Sequence, residues 1–153
     1  MKYPTSKDLT TKIHDLLILK NTDGSYDLFG RYKILSSNNG LFIVSVPKDC
    51  DIAEQTFSSL KHAVTWCVFE KHKKYSDIKR IQELDMLLSS LDVSSGILKK
   101  LFEKTKDLED RFIYLAKLDE VKFKKRALLA EINSYISTSK HWQTKKFTEN
   151  QSK

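Results

Sequence analysis

The strongest hairpin signal in the chain is SSNNGLFIVSV, at residues 36–46. Asn and Gly tolerate the positive φ angles of a tight turn, and an Asn-Gly pair between two apolar runs predicts a β-hairpin. The preceding run, YDLFGRYKIL at residues 26–35, is rich in the aromatic and β-branched residues that favour strands. We therefore predict that residues 26–46 form two antiparallel strands joined at Gly40.

The chain before this hairpin supplies one more turn and one more strand. NTDG at residues 21–24 is a turn signal, and a short apolar run that begins at Ile13 precedes it. Together the runs predict a three-stranded antiparallel meander. Gly30 interrupts the middle strand, where we expect a β-bulge, and Pro47 ends the third strand. Residues 1–12 are expected to be a flexible lead-in.

The segment after a loop at residues 48–56 reads FSSLKHAVTWCVF, from Phe57 to Phe69, and predicts a helix. Ser58 or Ser59 is a candidate N-cap, because a serine side chain can accept a hydrogen bond from a backbone N–H of the first turn. The apolar residues cover a wide arc at helical spacing, which suits a helix laid across the meander. The sequence thus predicts a β-β-β-α unit over residues 13–75.

The second half of the chain carries two opposed apolar patterns on helices. A helix is predicted to open at Ser76 and to end at Ser94-Ser95-Gly96, and no Gly or Pro follows. One apolar set then comprises Leu98, Leu101, Leu108, Phe112 and Leu115, and a second comprises Leu118, Val121, Leu128, Leu129, Ile132 and Ile136. The second set lies about half a turn around the helix from the first, at 100° per residue. Either the helix breaks within residues 117–126, or its second half packs against a different neighbour.

These patterns predict an α+β fold: a three-stranded antiparallel meander with a packed helix, followed by a helical hairpin or projecting helical arm over residues 76–137. A polar tail is predicted over residues 138–153. A single helix from Ile97 to Tyr135 would be about 60 Å long, which exceeds the diameter of a small domain. A break or a projection is therefore expected.

Composition narrows the class of protein. The chain has 153 residues, of which 40% are hydrophobic and 31% charged, with 2 Cys, 4 Gly and 2 Pro. These values exclude collagen-like, low-complexity and disulfide-stapled chains. The net charge of +7 is spread evenly, with 11 basic and 8 acidic residues up to Tyr75 and 16 and 12 after it. An even excess favours solubility over a concentrated polyanion site.

No linear motif of an enzyme is present. The chain lacks a Gly-rich phosphate loop, a nucleophile elbow, a Cys-x-x-Cys pair and a His-Glu-x-x-His motif. His62, Cys67 and His72 are five residues apart on a helix, so their side chains cannot share one small face. We therefore predict a protein that is not an enzyme, with no catalytic residue, no metal site, no cofactor and no small-molecule substrate.

Two groups of residues are candidates for binding. Lys122, Lys124, Lys125 and Arg126 flank Phe123 and are candidates for nucleic-acid phosphates, the alternative being a solvated helix face. In the tail, Trp142 and Phe147 lie beside Lys145 and Lys146. Those aromatic residues either close over the protein's own core, anchor a protein partner or touch an anionic surface, and basic residues around a Trp are typical of partner-binding hot spots.

Two resemblances extend this interpretation. The meander followed by FSSLKHAV at residues 57–64 resembles AP2-type DNA-binding modules over residues 27–75, with Arg31, Tyr32 and Lys33 at the positions of the family's DNA-facing residues. That resemblance implies nucleic-acid binding through Arg31 and Lys33. Residues 57–69 and the segment SKHWQTKKF at residues 139–147 resemble small structural and assembly proteins of tailed marine bacteriophages. This second resemblance implies a virion or assembly component.

The function expected from these observations is protein–protein interaction or assembly, with a protein partner or self-assembly through the helical arm and tail. The alternative is a nucleic-acid-binding accessory module. Residues 1–8 contain no apolar signal segment and no later run approaches the length of a membrane span, so we expect synthesis in the cytoplasm and no membrane partner. A place in the virion follows if the phage resemblance holds.

Overall fold

The computed structural model describes residues 10–13, 16–46 and 54–151, with side chains described over 21–46 and 54–142. Six strands precede three helices along this described chain. The elements are β1 (Thr10–Ile13), β2 (Leu16–Lys20), β3 (Tyr26–Leu28), β4 (Tyr32–Ser36), β5 (Phe42–Ser45), β6 (Gln55–Phe57), α1 (Leu60–Lys71), α2 (Tyr75–Lys104) and α3 (Leu108–Gln151). The lead-in predicted for residues 1–12 lies largely outside the described residues, and its last three residues belong to β1.

The strands form one antiparallel sheet in the order β1-β2-β3-β4-β5-β6, so each strand pairs with its neighbours in sequence. The predicted α+β class and antiparallel meander are confirmed. The expected number of strands, three, is wrong for two reasons. The first predicted strand lies in the hairpin β1–β2, and the middle one is divided into β3 and β4. The loop predicted for residues 48–56 also ends early, because β6 begins at Gln55 and pairs with β5.

Gly30 forms a turn and not the expected bulge. Phe29 and Gly30 have φ angles of 60° and 65°, and the Arg31 N–H donates to the Leu28 carbonyl at 3.1 Å. Two consecutive residues with positive φ produce the twist that tight hairpins require. Phe29 occupies this costly conformation while its ring packs edge-on against Tyr32, with centroids 6.3 Å apart. The strand pair continues beyond the turn, with Leu28 opposite Tyr32.

The core lies where α1 is enclosed on both sides. One side of α1 packs on the sheet, and the other side packs on α2 and α3. Eight consecutive residues, Ala63 to Glu70, are therefore buried. Trp66 stands at the centre, with its ring 6.5 Å from that of Tyr32 and 6.1 Å from that of Phe57. The wide apolar arc read from the sequence of α1 reflects this two-sided burial.

The break predicted at Ser94-Ser95-Gly96 is wrong, because α2 passes through these residues without interruption. A glycine inside a helix costs only about 1 kcal/mol relative to alanine, and the apolar residues Leu98 and Phe102 continue the packing face beyond it. The chain instead reverses at residues 105–107, between α2 and α3. Asp107 caps the N-terminus of α3, since its side-chain Oδ1 accepts a hydrogen bond from the Glu109 N–H at 2.9 Å.

Of the two alternatives for residues 117–126, the structure excludes the helix break, and the helix also continues past residue 138, where a polar tail was predicted to begin. Helix α3 is continuous over 44 residues. At 1.5 Å per residue its length is about 66 Å, so it extends beyond the core. Its C-terminal part packs on α1 through Tyr135 and Trp142, which keeps the helix ordered past the predicted boundary. The predicted helical hairpin with a projecting arm is confirmed.

Candidate functional site

The projecting part of the hairpin, residues 86–129, is hereafter called the arm. Its two helices pack together along inner faces that are buried or half-buried. The inner residues are Leu88, Leu91, Leu98 and Phe102 on α2, and Tyr114, Leu118, Val121 and Leu128 on α3. Among the described residues, the sheet reaches the arm only at its start, near Met86 and Val93, so farther out the two helices share this one internal seam. Each helix of the arm therefore leaves most of its circumference to solvent.

Exposed apolar side chains concentrate on the arm. Among the residues with described side chains, thirteen large hydrophobic ones are exposed, and eleven of these lie between Met86 and Leu129. Phe123 is 76% exposed, Leu108 67% and Phe112 62%. Single exposed hydrophobic residues are common on protein surfaces, but a contiguous group marks an interaction site. The arm is therefore the candidate functional site.

Eight of the eleven exposed residues on the arm form two stripes. At 100° per residue, Met86, Val93, Ile97 and Leu101 lie within one quarter of the circumference of α2 and are called the α2 stripe. By the same measure, Leu108, Phe112, Leu115 and Phe123 form the α3 stripe. Apart from Phe123, which borders a groove against α2, the residues of both stripes lie on the side of their helix that faces away from the inner seam. Met86 and Val93 border a second groove against the β5–β6 end of the sheet, and the remaining stripe residues are exposed among the described residues.

This geometry explains the two apolar sets seen in the sequence of α3. The set that begins at Leu118 is the inner face, and it extends back to Tyr114. Leu108, Phe112 and Leu115 of the first set belong to the outer α3 stripe. The change of face needs no break, because the helix carries both faces along the arm. The structure therefore supports the second alternative: the second apolar set packs against a neighbouring helix, α2.

An apolar groove of about 480 Å³ runs along the seam on one side of the arm. Leu87, Ser90, Leu91, Phe123, Lys124, Ala127 and Leu128 line it. The Phe123 ring stands at its rim, which accounts for its high exposure. A second groove of about 570 Å³ lies between the outer face of α2, at Met86 and Val93, and the β5–β6 end of the sheet, at Leu41 and Thr56. Polar residues, among them Glu54, Gln82 and Ser89, line this second groove together with the apolar ones.

The predicted nucleic-acid residues of α3 do not share one face. Lys122 and Arg126 lie on the side of the α3 stripe, and Lys124 lines the apolar groove. Lys125 turns towards α2, where its Nζ lies 2.5 Å from the Asp92 carboxylate. Consecutive residues of a helix point in different directions, so the basic segment surrounds α3 and does not form a single basic surface.

The predicted nucleic-acid residues of the sheet also lie on different surfaces. Lys33 points from the outer face of the sheet, with its Nζ 3.8 Å from the Asp23 carboxylate. Arg31, in the turn before β4, reaches the helix side instead, where its Nε lies 3.9 Å from the Glu70 carboxylate. Glu70 is buried and also accepts a short hydrogen bond from the Tyr32 hydroxyl. The sheet therefore does not present Arg31 and Lys33 side by side.

Trp142 packs against the protein's own core. Its ring centroid lies 4.7 Å from that of Phe69 and 4.6 Å from that of His72, both on or next to α1. Of the three alternatives for the tail aromatic residues, the Trp142 side chain thus follows the first in this structure: it closes over the core. The side chains of Phe147, Lys145 and Lys146 lie outside the described residues.

A buried polar cluster that the sequence analysis missed joins β6, α1 and α2. The Asp85 carboxylate is buried and accepts hydrogen bonds from the Ser58 N–H at 3.1 Å and from the Ser58 hydroxyl at 2.8 Å. The His62 Nδ1 lies 2.7 Å from the same carboxylate. In a serine-hydrolase triad the histidine lies between serine and carboxylate and takes the serine proton. Here the carboxylate lies between the other two residues, so the cluster ties elements together and lacks the geometry of a triad.

Two further titratable groups have structural causes for their pKa values. Burial raises the pKa of the Cys67 thiol, which keeps this free cysteine protonated. At the base of the arm, Arg80 makes a two-point ion pair with Glu131, at 2.5 and 2.7 Å, and hydrogen bonding to Arg80 lowers the pKa of the Glu131 carboxyl. Within the described residues, no group of three His, Cys, Asp or Glu side chains is placed to hold a metal ion.

No protein-family model, curated protein sequence or solved structure matches this chain. None of the helices among the described residues combines the length and the apolar character needed to cross a bilayer. The arm therefore stands as the candidate site on its own geometry: two helices with one shared inner seam and two exposed apolar stripes.

Proposed function

We propose that this protein is a non-enzymatic interaction or assembly protein that uses the arm to dock onto protein. One observation carries the proposal: eleven of the thirteen exposed large hydrophobic residues with described side chains lie on the arm. Burial of apolar area contributes about 25 cal/mol per Å², so covering these stripes would favour association. Helical arms that lay an apolar face against another helix use the same packing that builds helical bundles.

The experiment compares the full-length protein with two variants as bait in extracts of its native source. Phe112→Glu places a charge in the α3 stripe, and Asn133→Glu places one on the exposed surface of the same helix beyond the arm. We expect the wild type and Asn133→Glu to retain the same proteins and Phe112→Glu to lose them, as measured by quantitative mass spectrometry. Identical sets of proteins from all three baits would contradict docking through the α3 stripe.

For this arm, we propose a role in the virion or in its assembly, in line with the resemblance to tailed-phage proteins. An elongated arm with apolar stripes suits a component that joins other subunits. Mass spectrometry of virions purified from the native source tests this location. The chain should occur at a fixed number of copies per particle, and its absence from purified particles would exclude a virion component while leaving arm-mediated assembly open.

The alternative function, binding of nucleic acid as an accessory module, rests on the exposed Phe123 ring between Lys122 and Lys124. An aromatic ring beside lysines can stack on a base while the lysines contact phosphates. Two observations favour protein docking over this alternative. The arm exposes apolar stripes, and three of the candidate nucleic-acid residues, Arg31, Lys33 and Lys125, already lie beside carboxylates of this protein. Fluorescence anisotropy with single- and double-stranded DNA and RNA at low salt distinguishes the two. Salt-sensitive binding that Lys124→Glu weakens would support the alternative.

A further inference from the structure

Strand β6 is the last strand of the sheet among the described residues, and β5 is the strand that pairs with it. An edge strand presents unpaired N–H and C=O groups on its outer side. Such groups fit an extended polypeptide, which can add to a sheet as a further strand. The outer side of β6 is therefore a place where a segment of another protein can pair.

The register of the sheet directs the backbone groups of Thr56 to this outer side. At the β4–β5 turn the Ser37 N–H donates to the Leu41 carbonyl at 2.8 Å, so the odd-numbered residues of β5 face β4 and the even-numbered ones face β6. The even-numbered ones lie opposite the two neighbours of Thr56, which leaves Thr56 facing outward. The Ser58 N–H points the same way, because it donates to Asp85 on α2.

Helix α2 lies beside this edge and forms the other wall of the groove of about 570 Å³, which is hereafter called the edge groove. Met86 and Val93 stand on this wall and are 64% and 61% exposed. A strand added to β6 would lie about 4.8 Å from it, and alternate side chains of that strand would point to one face. Side chains that point towards α2 would make apolar contact with Met86 and Val93.

The edge groove is acidic, although the whole protein has a net charge of +7. Its lining residues include Glu54 and Asp85 but no Lys or Arg. Asp85 is buried and already accepts bonds from Ser58, whereas Glu54 is exposed. A Lys or Arg side chain of an added strand would therefore find its opposite charge at Glu54.

We propose that the edge groove binds an extended segment of a partner protein, which adds to β6 as a further strand. The segment carries a basic side chain near Glu54 and apolar side chains against α2. Because β6 has three residues, the paired part of the segment is about 10 Å long. Backbone hydrogen bonds supply affinity and the side-chain contacts supply specificity. This inference goes beyond the proposed function, because it assigns a second docking site, separate from the α3 stripe.

The first test selects ligands for the full-length protein from a displayed library of random dodecapeptides and measures the affinity of the strongest one by fluorescence anisotropy. Val93→Arg should weaken binding at least about tenfold, because it adds bulk and a repelling charge to the groove wall. Ile97→Arg, in the same stripe one turn beyond the groove, should bind like the wild type. Failure to select any peptide, or equal effects of the two variants, would overturn the inference.

The second test examines the backbone pairing. Methylating the peptide's backbone nitrogens one at a time removes one donor at each position and leaves the protein unchanged. In an added strand every second N–H bonds to the edge, so binding should be lost at alternate positions of the paired part. Thr56→Pro should also weaken binding, since an outward N–H can be replaced by proline at an edge, whereas Thr56→Val should not. Loss at no position, or at all of them, would contradict strand addition.

The third test concerns charge. Glu54→Lys should weaken binding of the selected peptide about tenfold at low salt, and a peptide with Glu in place of its basic residue should restore it. Absence of this rescue would contradict the basic ligand. Phe112→Glu, which changes the α3 stripe, should bind the peptide like the wild type. Loss of peptide binding in Phe112→Glu but not in Val93→Arg would place the ligand on the arm and overturn the edge groove while leaving the proposed function intact.

Discussion

At the scale of single residues, Asp85 is a buried carboxylate that connects several elements. It is 3% exposed, and it accepts bonds from the backbone and side chain of Ser58 as well as contacting His62. Ser59 is the N-cap residue of α1 but makes no side-chain capping bond. The carboxylate of α2 therefore holds the β6–α1 junction in place of a local cap, which joins three elements through one residue.

Asp85→Ala should lower the free energy of unfolding by about 2–4 kcal/mol, because it leaves the Ser58 N–H and the His62 ring without their acceptor. Urea denaturation followed by circular dichroism measures the loss. Asp92→Ala in the same helix removes only an exposed ion pair with Lys125 and should cost less than about 1 kcal/mol. Equal losses in the two variants would show that burial does not set the importance of Asp85.

Trp142 offers a second residue-scale prediction. Because its ring packs on Phe69 and His72, Trp142→Ala should lower the free energy of unfolding by about 2–3 kcal/mol in the isolated protein. Trp142→Phe keeps an aromatic contact and should lose less than half of that amount. Chemical denaturation of the three proteins provides the measurement. An unchanged stability of Trp142→Ala would instead indicate that Trp142 serves a partner and not the core.

At the scale of elements, the arm exists because α2 and α3 each continue past the core. Helix α2 contains Gly96 in its interior with a helical φ, and nothing lies within 4 Å of the position that a Cβ would occupy. Leu98 and Phe102 keep packing against α3 beyond it. An ordinary turn could not have formed at this glycine without exposing those side chains, so the reversal occurs at residues 105–107, where the inner apolar pattern ends.

Gly96→Ala should therefore raise the thermal stability, by about 0.5–1 kcal/mol, since alanine restricts the unfolded chain and fits the helix. The contrasting substitution is Gly40→Ala, in the β4–β5 turn, where the φ angle of +79° strains any residue with a Cβ. We expect Gly40→Ala to destabilise by about 1 kcal/mol or more. Differential scanning calorimetry measures both, and destabilisation by Gly96→Ala would be inconsistent with an uninterrupted α2.

At the scale of the whole molecule, the arm is stabilised mainly where it leaves the core. Arg80 and Glu131 join α2 and α3 at this place, and α1 lies beneath them. Farther out the two helices share one seam, in which Leu88 and Leu118, at 5% and 7% exposed, are the most buried of the inner residues named above. Local stability is expected to decrease along the arm, because each successive turn buries less apolar area.

The Arg80–Glu131 pair predicts a pH dependence with a definite sign. The pKa of the Glu131 carboxyl is lower in the folded state than its ordinary value of 4.5, so the unfolded state binds a proton more readily. The contribution of the pair is complete above pH 4.5 and disappears as the pH falls through the folded-state pKa. Both partners are about one-third exposed, so screening limits the contribution to roughly 1 kcal/mol or less.

Glu131→Gln provides the measurement. At pH 7 the free energy of unfolding of Glu131→Gln should be lower than that of the wild type by roughly 1 kcal/mol or less. At pH 3 the difference between the two proteins should become smaller. Urea denaturation at several pH values between 3 and 7 follows this change, with Glu103→Gln on the outer arm as the control. A constant difference across the range would mean that Glu131 contributes through packing and not through its charge.

Local patterns in the sequence were sufficient to identify the fold class, the meander, the packed helix and the hairpin. Turn residues such as Asn39 and Gly40, and apolar residues at strand or helix spacing, act over a few positions, so they can be read without the rest of the molecule. The exposed α2 stripe was also visible in principle, since Met86, Val93, Ile97 and Leu101 follow helical spacing. It was missed because an apolar stripe on a helix is usually buried.

Tertiary packing determined what the sequence patterns left open. Gly30 forms a turn and not a bulge in a structure where the Phe29 ring packs against Tyr32. Helix α2 continues through Gly96 because its next turns pack against α3. The first apolar set is divided between α2, which holds Leu98 and Leu101, and the outer face of α3, whereas the second set begins the inner face of α3. Only the position of α2 revealed which face is buried, because burial is a property of neighbouring elements and not of a single helix. The arm emerged as the candidate site for the same reason: its exposed stripes are apolar residues that no other part of the described chain covers.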